Sequence, residues 1–343
     1  MQAVILAAGS STRTYPLTLT RPKPLLKVAN KTILGYNLEA LQDSVDEIIL
    51  VVGYKQDMIK KFVSENYSSL NVKYVEQKEQ LGTGHAVSIL ESHIKDRFIL
   101  LLGDNIYSKQ DIKELSKNKY SILVMEVDNP EMFGVIIEEK GILKEVIEKP
   151  TKPTSNLISC GLFSFDKEIF FFLESVEKSE RGEYELIEPL KQLSKKHGMH
   201  CITSKQCFQV GYPWDLLTAD QEIRQDENSI GDNSKIQGNI KNSSIGNNCI
   251  IDGNVSNSLI MDNVTIEETS TIEDSIIGEN VHFHGKIISK TNAFSTVKNE
   301  KIKVNRLGAI IADNVKAENV LIEPGCKVWP NKKITGKVNH DVI

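Results

Sequence analysis

Up to about residue 225, short apolar runs alternate with segments whose apolar positions fall three and four apart. The runs at 3–6, 47–52, 72–75, 98–102 and 122–127 predict strands. Between them, Ile33, Leu34, Tyr36, Leu38 and Leu41 fall at helical spacing, as do Met58, Ile59, Phe62 and Val63. Strand, helix, strand in that order predicts an α/β domain with a mostly parallel sheet and right-handed crossovers. Sheets of this kind bind ligands beyond the carboxyl ends of their strands.

After residue 228 the pattern changes. Ile230, Ile236, Ile240, Ile245, Ile250, Val255, Ile260, Ile266, Ile272 and Ile277 are separated by four to six residues, with Gly, Asn, Asp and Ser between them. Neither a strand's period of two nor a helix's 3.6 accounts for this spacing. Turn-forming corners with one inward aliphatic each describe a parallel β-helix, whose rungs bury their aliphatics by stacking. The pattern resumes in "LGAIIADNVKAENVLIEPGCKVWPNKKITG", and the predicted domains are 1–225 and 226–343.

Composition adds exclusions. Lys and Arg number 41 against 46 Asp and Glu, a net charge of −5 without blocks, so a nucleic-acid partner is not expected. The five cysteines show no CxxC spacing, which argues against a disulfide framework or a zinc site. The opening residues lack a basic segment followed by a long apolar stretch, and no run approaches the roughly 18 apolar residues of a membrane span. A cytoplasmic protein without a membrane partner is expected.

The candidate chemistry lies in "LAAGSSTRTYPLTLTRPKP", which follows the first strand. It is neither GxxxxGK[ST] nor GxGxxG. Its small residues Ala7, Ala8, Gly9, Ser10, Ser11 and Thr12 allow backbone N–H groups to converge on an anion, and Arg13 adds a guanidinium. Lys23, between Pro22 and Pro24, is an ammonium on a stiffened segment suited to a second phosphoryl group.

"GSSTRTYPLT" and "RPKP" together resemble the sugar-1-phosphate nucleotidylyltransferases, and the likeness spans nearly the whole chain. It is reinforced in order by "EQKEQLGTGHA", "LLGDN", "FGVI", "EKP", "NLISCGLFSF", "RGEYEL" and "VGYPWDLLTA". The chain looks closest to the archaeal-type long members, in which a Rossmann-like nucleotidyltransferase domain precedes a left-handed β-helix of hexapeptide-type repeats. Some of these also acetylate amino-sugar 1-phosphates. The resemblance implies that a sugar 1-phosphate attacks the α-phosphorus of UTP or dTTP with Mg²⁺ as cofactor. Arg13, Lys23 and Asp104 would be catalytic, with Asp104 on the metal. Leu6 to Arg13, Gln77, Gly82 and Thr83 would hold the nucleotide. Gly134, Glu148, Lys149, Asn156 and Gly161 would hold the sugar phosphate, and Glu183 is a further candidate.

Two departures from the family pattern stand out. Where members carry Trp-x-Asp-x-Gly, this chain has Cys207 and Gln209, so a neutral amide would serve as the second metal ligand and bind Mg²⁺ more weakly. Where bifunctional members carry an acetyl-transfer histidine, "TNAFSTVKN" places Phe294 and Ser295, and the coil ends soon after "WPNKKITGKVNHDVI". Serine alone supplies no general base near working pH. His282 and His284, one rung earlier, read as residues of the coil, so acetyl transfer is expected to be weak or absent. The alternatives are a bifunctional enzyme or a non-catalytic subunit of the same fold. The resemblance implies a homo-oligomer, a trimer or a multiple of it.

Overall fold

The computed structural model describes residues 1–179 and 182–343. The chain divides into two compact units, Met1–Gly9 with Leu34–Gln209, and Ser10–Ile33 with Val210–Ile343.

The first unit is built on a nine-stranded sheet: β1 Gln2–Ala7, β2 Glu47–Val52, β3 Val72–Glu76, β4 Phe98–Leu102, β5 Ser121–Glu126, β6 Gly134–Glu139, β7 Ile142–Glu148, β8 Leu157–Phe165 and β9 His200–Thr203. Their spatial order is β3-β2-β1-β4-β8-β5-β9-β7-β6. β1, β2, β3 and β4 pair in parallel as expected. Strands buried on both faces read as continuous aliphatic runs, and in β2 every residue is buried. The chain builds outward from β1 to β2 and β3, then returns to place β4 on β1's other side. The carboxyl ends of β1 and β4 therefore form a topological switch point.

The expected strand at 122–127 is β5, shifted by one residue, but it does not continue the parallel run. β8 lies between β4 and β5 and is antiparallel to both. An apolar run shows burial without naming its neighbour, so periodicity did not reveal this insertion. Phe98 on β4 packs edge to face on Phe165 of β8, with ring centroids 4.9 Å apart, at the centre of the unit's core.

The second unit contains a coil of stacked short parallel strands. Ser229, Ser244, Leu259, Ile276, Ile310 and Lys327 stack in one column. Lys235, Ile250, Thr265, His282, Lys316 and Lys333 stack in another. Ile245, Val255, Ile260, Ile266, Ile272 and Ile277 are buried inside, as the spacing predicted. Two positions differ. Ile250 is 43 % exposed and Ile251 takes the inward place, because inward positions follow Ile236, Ile251 and Ile266. Ile230 is 51 % exposed, since it belongs to a first rung with a coil neighbour on one side.

Left-handed corners are filled by Asn233, Asn248, Asn263, Asn280, Asn314 and Asn331. Asn tolerates this geometry better than most residues, and here the amides bond from rung to rung, as from Asn280 to Asn314 at 3.1 Å. "TNAFSTVKN" is not a rung. It forms an antiparallel hairpin, Lys290–Val297 with Glu300–Leu307, projecting between stacked rungs. The segment 10–33 belongs to this unit and makes only single turns, Thr12–Thr14, Leu17–Leu19 and Lys23–Leu25, and a short hairpin pairing Lys27–Val28 with Lys31–Thr32.

Candidate active site

In the first unit, the residues after β1 and β4 are locked by backbone contacts. The Ala8 carbonyl accepts hydrogen bonds from the Tyr54 amide and from Gln80 Nε2, each at 3.0 Å. The Gly103 amide donates to the Leu6 carbonyl at 2.9 Å, and a Cβ on Gly103 would lie 2.6 Å from that oxygen. Only glycine allows β4 to turn this closely past β1, which puts half-buried Asp104 at the switch point.

Behind Asp104 lies a buried polar cluster. Asn37 Nδ2 donates to the Asn105 carbonyl at 2.7 Å, and Asn105 Nδ2 donates to the Cys160 carbonyl at 3.0 Å. The Tyr107 hydroxyl is 2.9 Å from the carbonyl oxygens of both Cys160 and Gly161, and burial pushes its pKa well up. Gln209 stands opposite Asn105 in a two-stranded ladder, and its Nε2 donates to the Ser159 carbonyl at 3.0 Å, leaving Oε1 as the side chain's remaining acceptor. Cys207, at the family's Trp position, sits against the Cys160 thiol, which with burial raises its pKa.

The nucleotide candidates beside β3 are also tied together. Gln77 is 6 % exposed, and its Nε2 lies 3.2 Å from the Gly82 carbonyl and 3.1 Å from His85 Nδ1. With both amide hydrogens so directed, Oε1 is the atom left to read a ligand. Gly82 has φ 105°, and a Cβ there would meet the Tyr184 carbonyl at 2.6 Å. Thr83 opens the helix Thr83–Ser88. Tyr184 donates its amide to the Leu81 carbonyl and accepts from the Gly84 amide, both at 2.8 Å. "RGEYEL" thus braces this loop, with Glu183 exposed; its first residue, Arg181, lies outside the described residues.

In the second unit, Ser11 adopts a left-handed conformation, and its carbonyl gathers the Thr14 amide at 3.0 Å, Thr14 Oγ1 at 2.7 Å and Thr18 Oγ1 at 2.9 Å. This winds Ser10, Ser11, Thr12 and Arg13 into a tight turn. The Arg13 guanidinium lies 5.7 Å from the Tyr212 ring, which stacks on Trp214. Asp215 accepts the Gly211 and Tyr212 amides at 2.8 and 2.7 Å. Burial pushes its pKa up, while these amides and the charges of Lys23 and Arg13 pull it back. Arg13 and Lys23 therefore share the field of the half-buried Asp215 side chain. Asp215 lies four residues past the motif glycine, Gly211, outside the aligned metal position; the signal for it was an acid opening a helix after "GYPW".

Residues 2–226 match the Nucleotidyl transferase family model, and residues 220–343 match that of the GMPPB C-terminal domain. The Bifunctional protein GlmU of Methanocaldococcus jannaschii is 35 % identical over 381 residues, covering 96 % of this chain and 92 % of the relative. The chain belongs to the sugar-1-phosphate nucleotidyltransferases. The UTP–glucose-1-phosphate uridylyltransferase AglF of Haloferax volcanii is 34 % identical to this nucleotidyltransferase, covering 66 % of it and 98 % of the relative. A solved UDP-glucose pyrophosphorylase complexed with UDP-glucose shares the fold, with TM-score 0.59 and 22 % identity over 65 % of this chain and 98 % of that one.

Of the sugar-phosphate candidates, the nucleotidyltransferase brings Gly134, Glu148 and Lys149 together. Gly134 pairs with Glu148 across β6 and β7, and a Cβ on Gly134 would stand 3.3 Å from Glu148 Oε2. Lys149, in a left-handed conformation, has Nζ 3.9 Å from Glu148 Oε1. Exposed Asn156 precedes β8, with its carbonyl accepting from the Val127 amide at 3.0 Å, and is two residues before the Ile158–Val135 pairing. Gly161 sits apart, on the Asp104 side; it has φ 71°, and a Cβ there would clash with Leu102 Cδ1 at 2.4 Å.

Among the described residues, no three His, Cys, Asp or Glu side chains gather as a metal centre. Mg²⁺ fits that condition, because it takes one or two protein oxygens and completes its shell with water and substrate phosphate. Asp104 and the carbonyl of Gln209 offer such oxygens. Among the same residues, no helix is long and apolar enough to cross a membrane.

Proposed function

We propose that this nucleotidyltransferase forms a UDP- or dTDP-sugar and pyrophosphate from UTP or dTTP and a hexose or N-acetylhexosamine 1-phosphate. The observation that carries this reading is the Gln77 amide: with its hydrogens on Gly82 and His85, its oxygen suits the N3–H of uracil or thymine and not the bare N3 of cytosine. The name of the AglF relative favours UTP and glucose 1-phosphate as the first pair to test.

A phosphate oxygen of the sugar 1-phosphate bonds to the α-phosphorus, and the bond from that phosphorus to the bridging oxygen breaks. Pyrophosphate leaves with the electron pair. No protein nucleophile is needed, so positioning and charge neutralisation carry the catalysis. Arg13 and Lys23 neutralise phosphoryl charge, and the backbone from Leu6 to Thr12 supplies donors. Asp104 and Gln209 would hold Mg²⁺, which supplies Lewis-acid stabilisation of phosphoryl oxygen when bound. Glu148 accepts sugar hydroxyls beside Lys149, with Gly134 leaving room; Asn156 and Gly161 complete that contact surface.

We assign no acetyl transfer to the tail. Ser295 is 2 % exposed and its hydroxyl donates to the Gly325 carbonyl at 2.9 Å, while exposed Phe294 offers no base. The proposed functional boundaries are 1–225 and 226–343, with the coil as a trimerising element. The five free cysteines suit a reducing cytoplasm. Pyrophosphate release with four nucleotides against several sugar 1-phosphates tests the whole reading. Turnover with UTP or dTTP is expected; exclusive turnover with GTP or CTP, or none with any pair, overturns it. Acetylated product from acetyl-CoA and glucosamine 1-phosphate would overturn the assignment of the tail.

A further inference from the structure

The segment 10–33 carries Arg13 and Lys23 yet has little backbone structure of its own beyond single turns and a two-residue hairpin. Past the turn gathered on the Ser11 carbonyl, side chains from outside hold such a segment in shape. The coil of the same unit supplies them. After each strand of the column 244, 259, 276 and 310, the residue three further on occupies one equivalent corner: Asn247, Asp262, Glu279 and Asp313. Two of these acids cap the backbone of the corner before them, Asp262 Oδ1 accepting from the Asn247 backbone N–H at 2.9 Å and Asp313 Oδ1 from the Glu279 backbone N–H at 2.7 Å.

The outer atoms of this acidic column face the segment. Lys27 Nζ pairs with Asp262 at 2.5 Å, Arg21 Nη1 pairs with Glu279, and Arg21 Nη2 and Thr20 Oγ1 both reach Asp313 Oδ2, at 2.5 and 2.6 Å. Farther along, Asn30 Nδ2 donates to the Ile245 carbonyl at 2.9 Å. Residues 20 to 30 thus run down the coil, meeting successive rungs in order. Arg21 is 8 % exposed and Asp313 is 5 % exposed. A buried charge pair of this kind is a weak source of stability, and its better-attested use is to fix one arrangement among several.

We infer that the acidic column Asp262, Glu279 and Asp313 positions the phosphate-binding segment through Arg21 and Lys27, so that the coil sets the placement of Lys23 and Arg13. Pro22 and Pro24 flank Lys23, so a displacement at Arg21 passes to the ammonium two residues on with little slack. Arg21 and the column are positioning residues, and the inference rests on the proposed role of Arg13 and Lys23.

The experiment measures steady-state pyrophosphate release from UTP and glucose 1-phosphate by the full-length chain, with melting temperature recorded for every variant. Arg21→Gln and Asp313→Asn are expected to raise KM for UTP or lower kcat at least tenfold. KM for glucose 1-phosphate should stay within twofold, and Arg21→Lys should recover most of the loss. Wild-type constants in folded Arg21→Gln or Asp313→Asn overturn the inference, as does a loss spread equally over both substrates. If those variants fail to fold, the outer pair decides. Asp262→Asn and Lys27→Gln should each speed amide hydrogen exchange across 12–25 and raise KM for UTP about threefold, and unchanged exchange and KM overturn the inference. Arg13→Ala and Lys23→Ala separate the two levels. If these two leave turnover intact, the reading of the site fails; if they abolish it while the column variants do not, the positioning role alone fails.

Discussion

The sheet and the coil both bury polar groups, but they do so in opposite ways. In the sheet, each buried polar contact occurs once: Asn37 on Asn105, Asn105 and Tyr107 on the carbonyls near Gly161. In the coil, one bond is repeated. The Ser258 amide donates to Ser243 Oγ at 3.1 Å, the Ser275 amide to Ser258 Oγ at 3.0 Å and the Ala309 amide to Ser275 Oγ at 3.0 Å. Damage to a unique contact has no neighbour to share it, whereas a repeated contact is one of several nearest-neighbour increments. In the proposed mechanism the metal ligands rest on the sheet's unique contacts, and the coil offers graded support to the segment that carries Arg13 and Lys23.

The comparison can be broken most decisively at Asp104. Asp104→Asn should lower kcat by about 10²–10³ with the melting temperature unchanged, measured as pyrophosphate release over a Mg²⁺ titration; near-normal turnover would remove the metal role of this side chain. Next, Tyr107→Phe strips a buried hydroxyl from two carbonyls and should cost about 1–3 kcal/mol in urea unfolding. A cost no larger than that of the repeated contact would erase the contrast. That contact is tested by Ser258→Ala, which should cost about 1 kcal/mol, with turnover retained.

The smallest effect is one of pH. Burial raises the Asp215 pKa above its ordinary 3.8, so the folded state keeps this proton to higher pH than the unfolded chain. The associated stability is complete below the ordinary value and is lost as pH rises through the raised one. Asp215→Asn should therefore gain in melting temperature relative to wild type as pH rises from about 4 toward neutrality. A relative loss over that range would reverse the assigned sign. Catalysis in this variant should still fall at neutral pH, because Arg13 and Lys23 lose a shared counter-charge.

Much of this was legible in the residues. The apolar runs announce the parallel half of the sheet, and the loop from Ala7 to Lys23 carries the family resemblance that the family match bears out. The spacing from Ile245 to Ile277 announces the coil. What escaped depends on partners far apart in sequence. The antiparallel placement of β8 needs knowledge of which edges pair, and an apolar run does not encode it. The role of Gly103 emerges only from the 2.6 Å approach to Leu6. Asp215 lies outside the motif positions, and only the fold brings it into the field of Lys23 and Arg13. Asp262, Glu279 and Asp313 read as turn residues until stacking aligns them into one column. Ile250 and Ile251 show the finer limit, since adjacent isoleucines leave the inward choice to the register of neighbouring rungs.

The hairpin between Lys290 and Leu307 leaves the stacking around it intact, because Ile276 pairs directly with Ile310 across the excursion. The arms are nonetheless keyed to that stack, since the Ser295 hydroxyl donates to the Gly325 carbonyl and Lys327 Nζ to the Thr296 carbonyl, so room for foreign sequence lies at the exposed tip, Lys298 and Asn299.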